Sequence, residues 1–311
     1  MKFPLSLAAA AARLLPASWK NAIYRSSPLA RLIRRGLNRA TPTGLTQVTV
    51  AAGGLQGATL LIDMQTKKNY WLGTYEPELQ AAVRHWLRPG MVAYDVGANI
   101  GYISLLLART VQASPSSAGA PPEHVPQSSA GHAPPTAAGH VFAFEPLPAN
   151  LERMAANFKL NPWAAITCVP VAVVNRPGPV RFLAHASGAM GKATGSAGRQ
   201  NETYLAEIAV EGITLDQFAY AGPPHRPLPQ AIKMDIEGGE VLALQGMTRL
   251  LAEARPLLLI ELHGPESARA AWDTLTAAGY RILRMQPGYP PVPSLEALDW
   301  KAYIVAEPIQ T

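Results

Sequence analysis

The 311-residue chain has a single cysteine, Cys168, so no internal disulfide can staple it, which fits a reducing compartment. Cys168 falls in the strand-like run Ile166–Val174 and reads as a small buried core residue. No apolar stretch approaches the ~20 residues needed to span a bilayer, so no membrane-spanning helix is expected. Cysteine and histidine never cluster at zinc-ligand spacing. His124, His132 and His140 are scattered in or beside a low-complexity stretch and read as incidental. Acids are missing altogether from the first 40 residues, which hold Lys2, Arg13, Lys20, Arg25, Arg31, Arg34, Arg35 and Arg39. The whole chain carries 27 basic and 21 acidic residues, so the net charge of +6 arises in this segment and the body is slightly acidic. That balance disfavours nucleic-acid binding through the body. The basic segment 1–44 has two readings. Its Leu14, Leu15, Trp19, Ile23, Leu29, Leu32 and Ile33 suit weak contact with an anionic membrane surface, or the segment is an arm or a helix packed on the domain. The Leu5–Ala12 run is short, mostly alanine and followed by Arg13, which argues against a secretory signal. The expected location is cytoplasmic, at most peripheral to the membrane.

A glycine is missing where it would be diagnostic. Val92–Tyr102 reads as a buried strand, a glycine-rich turn and the start of a helix that continues through Ile103–Ala108. Such a unit cradles the nucleotide-like part of a cofactor. A dinucleotide fold wants Gly-x-Gly-x-x-Gly, with pyrophosphate at the helix N-terminus. Asp95 replaces the first of those glycines. A carboxylate there repels phosphate and suits a cationic ligand with hydroxyl or amine donors, such as S-adenosylmethionine. Gly97 and Gly101 let the backbone turn sharply and approach that ligand.

Val141–Phe144 reads as the next strand, with Glu145 at its carboxyl end. In adenosine-binding sheets an acid in this position accepts hydrogen bonds from the ribose, roughly 20 residues beyond the glycine turn. Glu145 lies 50 residues beyond Asp95. The stretch Gln112–Gly139 accounts for the excess: 21 of its 28 residues are Ala, Pro, Ser or Gly, a composition that reads as a disordered insert. Without it the spacing is 22 residues. A solvated strand-end acid is the alternative for Glu145.

A third cluster, Ile232–Glu240, places Asp235 and Glu237 near a strand end before Gly238–Gly239 opens a helix. The apolar run Pro256–Leu262 is a further strand, with Glu261 and His263 at its end. Ligands of open α/β sheets bind at the carboxyl ends of the strands, so these acids converge on one crevice. The remaining strands are Ile166–Val174, Tyr280–Met285 and Ala302–Ala306, and helices are expected at 147–159, 240–253 and 266–278, supporting a parallel doubly wound core. Thr46–Val50 and Thr59–Met64 read as a β-hairpin ahead of it.

Five segments, in this order, resemble the FkbM-type methyltransferases: Asp-Val-Gly-Ala-Asn-Ile-Gly-Tyr (95–102), Phe-Glu-Pro-Leu-Pro-Ala-Asn (144–150), Thr-Leu-Asp (214–216), Ile-Lys-Met-Asp-Ile-Glu-Gly-Gly-Glu (232–240) and Arg-Pro-Leu-Leu-Leu-Ile-Glu-Leu-His (255–263). The similarity runs from about Tyr70 to about Glu307, and neither the insert nor the basic extension is part of it. The resemblance implies a Rossmann-like class I methyltransferase fold over 45–311: a mostly parallel seven-stranded sheet, helices on both faces and an antiparallel last strand. It implies S-adenosylmethionine as cofactor and O-methylation of a hydroxyl on a sugar, polysaccharide or natural product. The implied cofactor contacts are Asp95, Gly97, Ala98, Asn99, Gly101, Glu145, Pro146, Asp235, and Ala172 near the adenine. A Tyr-Glu pair closing the cofactor site makes Glu76 a further candidate, with a helix N-terminal acid as the alternative.

The chemistry needs an acceptor oxygen in line with the methyl group and a group to take its proton. Asp235, Glu237 and His263 are the candidates, with His263 the natural base because imidazole titrates near neutrality. Asp235 could instead hold the cofactor's amino group. Asp235 and Glu237 offer two oxygens to a divalent metal, but no third ligand is evident from sequence, so no metal is expected. Two other classes stay open, a nicotinamide-dependent Rossmann oxidoreductase and a non-catalytic scaffold that binds the cofactor. The missing first glycine and the 232–240 cluster argue against the first, the intact acids against the second.

Overall fold

The structure, a computed structural model, describes Ala10, Gly36 and residues 39–112, 139–185, 190–199, 202–222 and 226–309. Most of the basic extension and of the insert therefore lies outside the described residues, with His124 and His132. The chain divides into two compact units, residues 1–80 with 156–162, and residues 81–155 with 163–311.

In the first unit, β1 (Leu45–Thr49) pairs antiparallel with β2 (Thr59–Asp63), as the flanking glycines predict. β2 alternates half-buried and buried residues, and its free backbone edge meets two asparagines. Asn157 Oδ1 accepts from Leu61 N at 2.7 Å, Asn161 Oδ1 accepts from Thr59 N at 3.1 Å, and Asn161 Nδ2 donates to Thr59 O. A short helix, α1 (Lys68–Leu72), follows and buries Tyr70 and Trp71.

The second unit is built on a seven-stranded sheet of β3 (Val92–Val96), β4 (His140–Phe144), β5 (Ile166–Val169), β10 (Ala231–Met234), β11 (Leu257–His263), β12 (Tyr280–Arg284) and β13 (Lys301–Pro308). Its order is β12-β13-β11-β10-β3-β4-β5. β10, β11, β3, β4 and β5 run parallel, whereas β13 is antiparallel to both β11 and β12. All residues of β3 and β10 are buried, and apart from Asp95 and Lys233, which pair with each other, they are apolar or aromatic, as fits central strands covered on both faces.

Three expectations are corrected. Cys168 is exposed, because β5 is the edge strand and Cys168 lies in its exposed middle pair. The run Ile166–Val174 is two strands, not one. β5 ends before Pro170, and β6 (Ala172–Val173) leaves for a second sheet of order β6-β9-β7-β8, with β7 (Gly178–His185), β8 (Lys192–Ala193) and β9 (Tyr204–Ile213). β7 and β9 went unread because their faces are half-exposed and polar, so the alternation is diluted. The helix expected at 240–253 breaks after Gln245. Asp216 then accepts from Arg249 N and Leu250 N and caps the separate turn Leu250–Ala254. The Thr-Leu-Asp segment is thus structural, since Thr214 Oγ1 also caps its own helix at Gln217 N.

The described ends of the insert meet. Gly90 N donates to Val111 O at 2.8 Å, and His140 N donates to Met91 O at 3.2 Å. Both contacts lie at the amino end of β4, away from the strand ends that carry the acids. Closing a loop costs only about 0.6 kcal/mol per doubling of its length. Replacing residues 113–138 by a short Gly-containing turn is therefore expected to leave the melting temperature unchanged or raised. A drop of several degrees on thermal melting would show that the segment contributes to the fold.

Candidate functional site

The glycine turn is pinned on both sides. Gly97 N and Ala98 N both donate to Phe144 O, at 3.1 and 2.9 Å, and Asp235 N donates to Val96 O at 3.1 Å. Gly97 has φ +82°, and a Cβ there would stand 2.0 Å from Asp235 O, so only glycine lets β3 and β10 close at this point. Asn99, at φ +52°, points its N–H to Glu145 Oε2 at 2.9 Å. Gly101, also at positive φ, starts α2 (Tyr102–Val111). The turn thus ties the end of β3 to Glu145.

Glu145 is 5% exposed. Its Oε1 accepts from Leu147 N at 3.0 Å and Asn150 Nδ2 at 3.1 Å. Burial pushes its carboxyl up to about 7, against these bonds, the Asn99 bond and the Lys233 charge, which lower it. Three donors leave a carboxylate with one of its roughly four acceptor positions for a ligand hydroxyl. Pro146 follows it, half-buried.

Asp95 is enclosed by the fold. It is 0% exposed, its Oδ2 accepts from Ser104 Oγ at 2.6 Å, and its Oδ1 lies 3.1 Å from Lys233 Nζ. Lys233 Nζ also donates to Gly97 O at 3.0 Å. The lysine of the Lys-Met-Asp segment therefore neutralises the acid of the glycine turn and holds the turn in place. Sequence reasoning sent Asp95 toward the cofactor because it could not see which strand Lys233 would lie beside. Ala172 is likewise engaged in packing, in a small core with Leu147, Val174, Phe182 and Ala193. Glu76 belongs to the first unit, at φ +43° just before Pro77, and its carbonyl accepts from Gln80 N.

The remaining acids gather around His263. Gly238, at φ +101°, would place a Cβ 2.2 Å from Ala197 O, so the chain turns tightly there. Glu237 itself takes a left-handed φ of +54°. Glu240, the first residue of α3 (Glu240–Gln245), is completely buried. Its Oε1 accepts from Ile236 N and from His263 Nδ1, both at 3.1 Å, and its Oε2 accepts from Ser267 Oγ at 3.0 Å. Glu261 and His263 stand two apart on β11 and share a face. His263 Nε2 lies 3.1 Å from Glu261 Oε1, 3.7 Å from Glu237 Oε2 and 3.8 Å from Asp235 Oδ1. Lys301, opposite His263 on β13, pairs with Glu261.

This surrounding corrects the role expected of His263. Burial by itself would lower its pKa, but the hydrogen bonds to Glu240 and Glu261 and the charges of Glu240 and Asp235 outweigh it and raise the value to about 10. These contacts favour the protonated ring over the free base. Burial also pushes the Glu237 carboxyl up. Lys233, Glu240, Ser267 and Lys301 were not picked out as site residues. Lys233 and Glu240 sit inside the 232–240 segment, but only the fold pairs them with Asp95 and His263. Asp235, Glu237 and His263 each offer a ligand atom, all within 4.8 Å of one another.

A family model described as the methyltransferase FkbM domain matches residues 95–282. The chain belongs to this family. The matched span contains the glycine turn, Glu145, the whole 232–240 segment and His263, so the clusters above are the family's own part of the chain. No curated protein matches the chain. Among solved structures, a methyltransferase FkbM from Methylobacillus flagellatus KT is 18% identical over 77% of this chain and 52% of its own, with a TM-score of 0.40. The chain thus spans about half the length of that relative. A SAM-dependent O-methyltransferase from Thermotoga maritima is 13% identical over 76% of this chain and 66% of its own, with a TM-score of 0.39. A Streptococcus mutans protein solved in complex with SAH is 8% identical over 75% of this chain and 97% of its own, with a TM-score of 0.40. No helix among the described residues is long and apolar enough to cross a membrane.

Proposed function

We propose that this FkbM-family chain is an S-adenosylmethionine-dependent O-methyltransferase of the Rossmann-like class I type, acting on a hydroxyl of a sugar, polysaccharide or natural product. The observation that carries the reading is the pairing of a glycine turn, closed against Glu145, with a carboxylate-rich cluster at the neighbouring strand ends. Asp235, Glu237, Glu240 and Glu261 gather around His263 and Lys301, with Lys192 and Arg199 also acting on Glu237. Carboxylates at these strand ends fit a sulfonium and an ammonium, and they oppose the pyrophosphate of a nicotinamide cofactor.

When bound, S-adenosylmethionine supplies an electrophilic methyl group. The chain's part is to hold the nucleoside and the acceptor and to take one proton. Glu145 holds the ribose, while the backbone at Gly97, Ala98, Asn99 and Gly101 shapes the wall beside it. Asp235, at the end of β10 and partly exposed, would take the proton of the acceptor hydroxyl. His263 is a positioning residue, because its imidazolium orients the surrounding carboxylates. Asp95 supports the turn from behind. The basic N-terminal segment gives no more than weak membrane-surface contact in this reading, and nucleic acid is not the acceptor.

Calorimetry with S-adenosylhomocysteine, run beside NAD(P), tests the cofactor, and one-site binding of the former alone is expected. A methyl-transfer assay with mixed carbohydrate acceptors tests the reaction. Asp235→Asn is expected to lower turnover about 10²-fold or more while leaving the fold intact. Binding of NAD(P) without S-adenosylhomocysteine would overturn the reading.

A further inference from the structure

Glu240 is wholly buried, yet its carboxylate reaches three separate parts of the chain. Oε1 accepts from Ile236 N, the peptide group next to Asp235, and from His263 Nδ1 on β11, both at 3.1 Å. Oε2 accepts at 3.0 Å from Ser267 Oγ, in the first turn of the helix Pro265–Ala277. A carboxylate that only capped its own helix would need the backbone bond alone and could stay at the surface. Burying an ionised carboxylate is costly unless charge and hydrogen bonds offset it. Here the offsetting groups are a ring and a hydroxyl brought in by two other elements.

The contacts continue beyond the ring. His263 Nε2 lies 3.1 Å from Glu261 Oε1, and Glu261 pairs with Lys301. Ser267, Glu240, His263, Glu261 and Lys301 thus form one chain of partners that ties the helix Pro265–Ala277 to β11 and β13, and its first four members are buried. Asp235 and Glu237 flank it, at 3.8 and 3.7 Å from Nε2, with partly exposed side chains. The buried chain is the floor of the crevice, and the two flanking carboxylates are the groups an acceptor can reach.

We infer that Glu240 is a positioning residue for the transfer step. Through Ile236 N it fixes the peptide that follows Asp235, and through Nδ1 it fixes the ring beside which the Asp235 carboxylate stands. Misplacing a reacting group by about 1 Å can cost about a hundredfold in rate. The effect on rate rests on the proposed methyl transfer; the fixing of the ring does not.

Two variants of the full-length protein separate reach from charge. Glu240→Gln keeps the length of the side chain and loses its charge: its oxygen can still accept from Ile236 N and His263 Nδ1, and its amide can donate to Ser267 Oγ. Glu240→Asp keeps the charge and draws the carboxylate back by one methylene. With S-adenosylmethionine and the mixed carbohydrate acceptors, kcat of Glu240→Asp is expected to fall about a hundredfold, while Glu240→Gln stays within about tenfold of the natural protein. KM for S-adenosylmethionine and affinity for S-adenosylhomocysteine should stay within about threefold in both, because the lost interaction acts on the transfer step alone. A merely structural role would lower melting temperatures and leave turnover per folded molecule equal in the two variants. A role through charge alone would reverse their order. Either result overturns the inference.

A second readout needs neither an acceptor nor a variant. In isotope-labelled natural protein the His263 Nδ1–H, enclosed and bonded to a carboxylate, should give a slowly exchanging proton resonance downfield of the amides, assigned through its ring carbons. In the variants it should persist in Glu240→Gln and disappear in Glu240→Asp. Its absence from the folded natural protein overturns the inference. A natural protein that binds S-adenosylhomocysteine but transfers no methyl group overturns the methyl-transfer reading, and the effect on rate with it; the resonance then still decides whether Glu240 holds the ring.

Discussion

Replacing Lys233 by methionine is expected to cost about 3–5 kcal/mol of folding stability. The change removes the only cation within 4 Å of Asp95 among the ion pairs described, in a place where both side chains are almost wholly buried, at 4% and 0% exposure. A carboxylate left without its counter-charge in that setting keeps its full desolvation penalty, and Ser104 alone cannot offset it. The Gly97 carbonyl loses its donor at the same time, so the glycine turn loosens. Chemical denaturation of Lys233→Met against the natural protein measures the cost. The double variant Lys233→Met with Asp95→Asn should recover part of it, because the buried charge is then gone. A single-variant loss below about 1 kcal/mol would mean that water or another group reaches Asp95, and that the pair does not hold the turn.

Glu145→Ala is expected to weaken S-adenosylhomocysteine binding about ten- to a hundredfold, through loss of charge-assisted bonds to the ribose of roughly 1.5–3 kcal/mol. The measurement belongs at pH 8, since burial pushes the Glu145 carboxyl up to about 7 and the group must be charged to accept a ribose hydroxyl. Affinity should fall as the pH is lowered through that value. The variant also frees the N–H groups of Asn99 and Leu147, so a thermal melt accompanies the calorimetry. Unchanged affinity in a folded Glu145→Ala protein would remove Glu145 from the site.

Much of the molecule was legible from local chemistry. Strands inside a sheet are mostly apolar, so β3, β4, β10 and β11 announce themselves. A turn that lets two strands close needs glycine, so Gly97 and Gly238 stand out, each followed by the pattern of a helix. Acids at the ends of such strands mark a ligand crevice, which brought out Glu145, Asp235 and Glu237. The low-complexity composition of the insert corrected the spacing to Glu145. Half-exposed strands are harder, and β7 and β9 escaped because their alternation is weak. Cys168 was misjudged for a related reason: whether a strand is central or at an edge is a property of the sheet, not of the strand.

The order of residues along the chain says where charge and glycine fall, and with that it points to the family and the class of ligand. What each charged group does depends on the folded packing, because a charge acts through its neighbours. Asp95 and Glu145 look alike as strand-end acids, yet Lys233, 138 positions along the chain from Asp95, makes the first an internal anchor. His263 looks like a base until Glu240 and Glu261 close on its two nitrogens and hold its proton. Those distances are set by the packing of β3, β10 and β11 side by side, and no local pattern in the chain contains them.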